Sequence, residues 1–197
     1  MNAPPLFGLL LAGGASRRMQ RDKAALDYAG MPQLLRAWTL LEAATERAWV
    51  SVRADQQDDP LRAGLPQLVD AGDSVGPITG ILTAQAAHPA AAWLVLACDL
   101  PRLDAATLRA LVDARDPSRA ATAFTSRFDG LPEPLCAIWE PASHATLLRL
   151  QAEGRHCPRK ALLQSDIRLL PAPGDALDNV NTPEEFDAMR HTLEASA

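Results

Sequence analysis

The stretch Leu6-Phe7-Gly8-Leu9-Leu10-Leu11-Ala12-Gly13-Gly14-Ala15-Ser16-Arg17-Arg18-Met19-Gln20-Arg21-Asp22-Lys23 decides the reading of this chain. Leu6 to Leu11 is an apolar run without alternation, the pattern of a strand buried on both faces. It ends in adjacent glycines, Gly13 and Gly14, which let a backbone turn sharply and approach a ligand with no Cβ in the way. Backbone N–H groups exposed in such a turn form a cradle for anions. Arg18 and Lys23 add mobile positive charge, and donors plus cations are what a polyphosphate requires. The stretch is neither G-x-x-x-x-G-K-[ST] nor G-x-G-x-x-G. The plain alternative is a glycine-rich turn carrying solvated arginines.

Outward from this stretch, short apolar runs alternate with helix-like segments. Leu34, Leu35, Trp38, Leu41, Thr45 and Ala48 recur at helical spacing behind Pro32. Trp49 to Val52, Gln67 to Asp70 and Trp93 to Cys98 read as strands, and Ile78 to Ala87 as a helix. Leu103 to Ala114 reads as a helix opened by Asp104, a favourable N-cap. Ala121 to Thr125 and Leu135 to Trp139 read as strands, Pro141 to Glu153 and Pro158 to Gln164 as helices, and Ile167 to Leu170 as an edge strand. Thr182 and Glu185 fit a capping box, with Pro183 at the first position of a last helix reaching about Leu193. Strands alternating with helices predict an α/β fold on a mainly parallel sheet with helices on both faces. Ligands of such sheets bind beyond the carboxyl ends of the strands. The segments after Leu11, Val52, Val69 and Cys98 are therefore where chemistry is expected.

Composition narrows the function. The chain has 197 residues, 48% hydrophobic and 22% charged, which suits one packed domain over 1–197 rather than a disordered chain. Lys and Arg total 19 and Asp and Glu 24, and a net charge of −5 speaks against nucleic acid as a partner. No apolar run reaches the roughly 18–20 residues of a membrane span, and the apolar start lacks the basic flank of a signal peptide. Cys98, Cys136 and Cys157 form no C-x-x-C pair, so a disulfide framework is not expected and a reducing cytoplasm is the simple reading. The histidines His88, His144, His156 and His191 have no i, i+4 pairing, which leaves no zinc pattern. Trp38, Trp49, Trp93 and Trp139 fall in apolar-periodic segments and are expected in the core.

Asp99 stands at the tip of the apolar strand ending at Cys98, where the ligand belongs. It is also a hard oxygen donor suited to Mg²⁺, which takes one or two carboxylates and completes its shell with phosphates and water. A turn before Leu100-Pro101 explains it equally well. Asn179 and Asn181 flank Val180, so a period-two backbone turns both carboxamides to one face. Gly154 to Lys160 is a locally basic cluster containing Arg155.

Together these segments resemble the molybdenum cofactor guanylyltransferases, the MobA-like nucleotidyltransferases. Leu11 to Lys23 is similar to the family signature L-A-G-G-x-S-x-R-M-G-x-D-K, with Gln20 where glycine is usual. Gly76-Pro77-Ile78-Thr79-Gly80-Ile81, Ala97 to Pro101, Glu133 to Trp139 and Asn179-Val180-Asn181-Thr182-Pro183-Glu184-Glu185 follow in the family's order. The resemblance implies a Rossmann-like three-layer nucleotidyltransferase fold, its N-terminal part taking nucleotide and its C-terminal part the acceptor. It implies GMP transfer from GTP to molybdenum-bound molybdopterin with release of pyrophosphate, and contacts with other cofactor-assembly proteins. By the same resemblance Leu11, Ala12, Gly13, Gly14, Lys23, Asp70 and Asp99 hold the nucleotide, and Asp99 holds Mg²⁺. Lys23, Arg18 and Asp99 serve catalysis, and Asn179, Asn181 and Arg155 bind the acceptor. Arg53 stands where some members have an asparagine that contacts the nucleotide. Readings kept beside this one are a cytidylyltransferase for the same pterin, another nucleotidyltransferase with a phosphate acceptor, and a non-catalytic nucleotide- or pterin-binding module. Cytidylyl relatives usually carry Ala-Ala-Gly where this chain has Ala12-Gly13-Gly14.

Overall fold

Leu6–Leu11 (β1) is the strand around which the rest is arranged. The structure, a computed structural model, describes residues 3–13, 22–28, 30–71 and 76–194. β1 pairs in parallel with Arg47–Val52 (β4) on one side and with Ala92–Ala97 (β6) on the other. Gln67–Val69 (β5) extends the sheet beyond β4, again in parallel. Beyond β6 the direction changes: Pro132–Trp139 (β8) runs antiparallel to β6 and to Ala121–Thr125 (β7), and Ile167–Leu170 (β9) lies parallel to β7. The seven-stranded order is β5-β4-β1-β6-β8-β7-β9. The mainly parallel α/β sheet read from sequence is thus present, with Ile167–Leu170 at its edge.

Side chains alternate between two cores. From β1 and β6, Leu6, Leu10, Leu94 and Leu96 face a core closed by Gln33–Ala44 (α1) and Ala105–Asp113 (α3). Phe7, Leu9, Trp93 and Val95 face a second core closed by Pro77–Ala87 (α2), His144–Ala152 (α4) and Pro158–Leu163 (α5). Burying side chains of this size contributes about 1.5–3 kcal/mol each. All four tryptophans are buried, Trp93 and Trp139 almost completely. The last helix, Pro183–Glu194 (α6), packs Phe186 and Met189 against Leu26 and Tyr28. Its start is the expected capping box: Glu185 N donates to Thr182 Oγ1 and Thr182 N donates to Glu185 Oε2, both at 3.2 Å.

Three segments depart from the sequence reading. The helical pattern drawn through Thr45 and Ala48 ends at Ala44: Thr45 is extended, its hydroxyl donates back to the Leu41 carbonyl at 2.8 Å, and Ala48 pairs with Gly8 inside the sheet. The helix read over Pro141 to Glu153 opens as a separate 3-10 turn, Pro141–Ser143. A small antiparallel pair, Asp27–Tyr28 (β2) with Met31–Pro32 (β3), was not anticipated, and Gly30 turns it with φ +83°.

Strand direction decides what lies together. Because β8 is antiparallel to β6, its first residues stand at the same edge as the ends of β1, β4, β5 and β6. The register pairs Leu96 with Cys136 and Thr125 with Pro132. Leu11, Val52, Asp70, Asp99, Glu133 and Ser126 therefore share one edge of the sheet.

Candidate active site

At that edge Lys23 and Asp99 meet. Asp22 caps a 3-10 turn, Lys23–Ala25, its Oδ1 accepting from Ala24 N at 3.0 Å, and this turn presents Lys23 to the sheet. Lys23 Nζ donates to Asp99 Oδ2 at 3.0 Å and to Asn181 Oδ1 at 2.7 Å. The Val180 N–H donates to the Asp99 carbonyl at 3.1 Å, which fastens the segment before α6 to the tip of β6. Val180 is buried, so its neighbours Asn179 and Asn181 face the cleft, Asn179 into a cavity and Asn181 onto Lys23. Lys23 and Asp99 are only 15% and 22% exposed, so their charges interact in a weaker dielectric than free water.

Asp70, at the tip of β5, accepts from Ser51 Oγ at 2.6 Å. Helix α2 comes very close here. A Cβ on Gly80 would lie 2.6 Å from Ser51 Oγ and 2.8 Å from Leu11 Cδ2, so only glycine lets the helix pack over Leu11 and Asp70. Gly76, at φ +78°, turns the chain into α2 from the left-handed region that glycine favours. Ala12 is buried, and Gly13 faces Asp70 and Arg53. Arg53 donates to the Gly13 carbonyl and pairs with Asp55 at 3.0 Å, so its guanidinium is tied to the glycine turn. Gly14, Arg18 and Gln20 lie outside the described residues.

On the other side of Asp99 a cavity of about 710 Å³ opens. Glu133 to Cys136 form one wall, the start of α5 (His156 to Arg159) another, and Phe128 stands at the rim. Arg159 reaches Asp129 at 2.9 Å and Glu133 at 3.1 Å. Arg155, an acceptor residue implied by the resemblance, is exposed, pairs with Glu153 at 3.3 Å and is not among the residues lining this cavity. α5 starts at Pro158, which carries Arg159 into the cavity and leaves Arg155 on the preceding turn. Cys157 is exposed at the cavity wall. Cys98 is no nucleophile: burial, then the charges of Asp99 and Asp22, push its thiol up to about 12. Burial and then Asp99 likewise hold the Tyr28 hydroxyl up at about 12, so it stays protonated.

Among the described residues no group of three or more His, Cys, Asp or Glu converges as a metal cage. A single carboxylate at a strand tip, Asp99, fits an ion that shares its coordination with a bound substrate rather than one held by protein alone. Sequence reading missed Ser51, Gly80, Arg62, Phe128 and Arg159. Of these Gly80 lies inside the Gly76–Ile81 segment and Arg159 inside the basic cluster 154–160, while the other three leave no local mark.

A sheet edge that brings together Gly13, a lysine–aspartate pair and an adjoining cavity suits a nucleotidyltransferase. The profile of the MobA-like NTP transferase domain matches residues 8–169, and the chain belongs to that family. A Molybdenum cofactor guanylyltransferase of Pseudomonas aeruginosa is 35% identical over 189 residues, covering 92% of each chain. The Molybdenum cofactor biosynthesis bifunctional protein of Synechocystis sp. is 39% identical over 185 residues, and there the alignment spans 92% of this chain but only 53% of the longer relative. The crystal structure of Molybdopterin-guanine dinucleotide biosynthesis protein A from Archaeoglobus fulgidus superposes with a TM-score of 0.79 over 96% of this chain and 99% of that one, at 20% identity. Among the described residues, no helix is long and apolar enough to cross a membrane.

Proposed function

We propose that this chain is a molybdenum cofactor guanylyltransferase in a single domain, its N-terminal part holding GTP and its C-terminal part the molybdopterin. The observation that carries this reading is Asp99, which faces Lys23 on one side and the 710 Å³ cavity on the other. A transfer between two phosphate-bearing substrates needs cations where the substrates meet, and Asp99 is a carboxylate placed between Lys23 and the cavity, able to hold one.

The nucleophile is the acceptor's phosphate monoester. Its second pKa is near 6, so it is largely ionised at neutral pH and needs no general base. This agrees with the protonated Tyr28 and Cys98. A phosphate oxygen forms a bond to the α-phosphorus of GTP as the bond to the β-phosphate oxygen breaks, and pyrophosphate leaves. Positioning and electrostatics supply nearly all of the catalysis in such transfers. Leu11, Ala12, Gly13 and Gly14 bind the nucleotide in this reading, and Asp70, fixed by Ser51, lies beside Gly13. Lys23, together with Arg18, offsets the charge that develops on the leaving pyrophosphate. Asp99 would hold Mg²⁺, which would supply charge screening to the phosphates. Asn179 lines the acceptor cavity, whereas Asn181 steadies Lys23.

The test is pyrophosphate release by the purified protein with Mg²⁺ and molybdopterin, comparing GTP, CTP and ATP. Release with GTP alone is expected. Release with CTP alone overturns the base assignment, and protein that binds both substrates without releasing pyrophosphate is a binding module.

A further inference from the structure

Arg62 lies on the excursion between β4 and β5, in a stretch with no periodicity, yet its side chain is only 1% exposed. One nitrogen, Nη2, donates to Asp22 Oδ2 at 2.6 Å and to the Ala12 carbonyl at 3.2 Å. The other, Nη1, donates to Asp59 Oδ1 at 3.0 Å. Nε is buried with no hydrogen-bond partner among the described residues. Ala12 and Asp22 flank residues 13–21 in the sequence. Asp22 also caps the turn that presents Lys23 to Asp99. A single guanidinium thus touches the chain where it leaves β1 and again where it returns with the catalytic lysine.

Stability does not account for a charge in this place. Exchanging a buried ion pair for well-packed apolar side chains is often neutral or stabilising. A planar guanidinium does what an apolar side chain does not: it fixes several oxygens in one geometry. Burial disfavours the charged guanidinium here, but the hydrogen bonds and charges of Asp22 and Asp59 outweigh it and hold its pKa above the usual arginine value. The guanidinium therefore stays charged.

We propose that Arg62 is a positioning residue of the nucleotide site, which sets the separation of Ala12 and Asp22 and, through Asp22, the place of Lys23. The role rests on the reading that Ala12, Gly13 and Lys23 serve GTP binding. The experiment uses the full chain and measures GTP binding with Mg²⁺ by calorimetry, thermal melting, and the separate KM values for GTP and acceptor. Arg62→Met should weaken GTP binding at least about tenfold and leave the acceptor KM within about twofold, the size expected when a positioning contact is lost. Arg62→Lys keeps the charge without the fork and should recover only part of the loss. Asp22→Asn, at a side chain 36% exposed, should reproduce the weakening and carries the test if Arg62→Met does not fold. Combined with Arg62→Met it should add little, because the two residues act through one contact. GTP binding near the wild-type value in Asp22→Asn and in any folded Arg62 variant overturns the proposal. So does equal loss of affinity for both substrates, which marks a general loosening. Failure of the wild-type protein itself to bind GTP overturns the functional reading, and this role with it.

Discussion

Asp70 and Phe128 stand at the same edge of one sheet, and the protein treats them in opposite ways. Around Asp70 the polar groups are held by one another: Ser51 on Asp70, Arg53 on the Gly13 carbonyl, Arg62 on Ala12 and Asp22, and Lys23 on Asp99 and Asn181. Around Phe128 the wall is open and mixed. The ring itself is 73% exposed, one face covered by the Arg127 guanidinium at 4.6 Å, which Asp178 grips at 2.7 and 2.5 Å. The difference suits two kinds of ligand. A triphosphate carries dense charge and is recognised by donors already in place. A bulky heterocycle is recognised by apolar surface and a few polar groups.

This contrast breaks most sharply at the boundary residue. Asp99→Ala removes the carboxylate that faces both Lys23 and the cavity, and turnover should fall about a thousandfold, the scale seen when an electrostatic contribution to the transition state is lost. Steady-state pyrophosphate release at millimolar Mg²⁺ checks it, and full activity there would sink the assignment of Asp99. A smaller effect belongs to the open side. Phe128→Ala should raise the acceptor KM roughly five- to tenfold, the worth of one aromatic stacking contact, and leave the GTP KM unchanged. A rise in both constants would mean that the rim serves the whole cleft.

The same contrast explains what was legible in the sequence. Strands β1 and β6 are continuous apolar runs, so the residues at their tips, Leu11 to Gly13 and Asp99, announce themselves by position alone. The resemblance of Leu11–Lys23 to a family signature adds to a pattern that is already local. The contacts that complete the site are not local. Arg62 meets Asp22 across 40 residues and Lys23 meets Asn181 across 158, and neither pairing leaves a period or a composition signal. The period-two spacing of Asn179 and Asn181 did mark a shared face, but not which ligand or side chain that face meets. The basic cluster 154–160 was equally visible as composition. Only the start of α5 at Pro158 sets which of its residues line the cavity, Arg159 among them. The helix limit at Ala44 escaped notice because Ala48, apolar and correctly spaced for α1, serves the adjacent strand instead.

The smallest effect comes from a residue that belongs to neither pocket and so separates loss of fold from loss of site. Asp104 lies shortly after Asp99 in the chain and caps α3, its Oδ1 accepting from Thr107 N at 2.7 Å. That bond favours the ionised carboxylate and holds its pKa below the usual 3.8, backbone donation from Thr107 being the largest cause. A depressed native pKa gives stability that is fully present above the unfolded value and is lost as pH falls through the native one. Asp104→Ala should therefore cost about 1 kcal/mol at pH 7. The gap between variant and wild type should narrow only below about pH 3.8. Urea unfolding at neutral and acid pH reads this directly. The same variant should keep its pyrophosphate release under conditions where it is folded. If Asp104→Ala lost activity as Asp99→Ala is expected to, stability of α3 rather than the chemistry of the boundary carboxylate would be what both substitutions report.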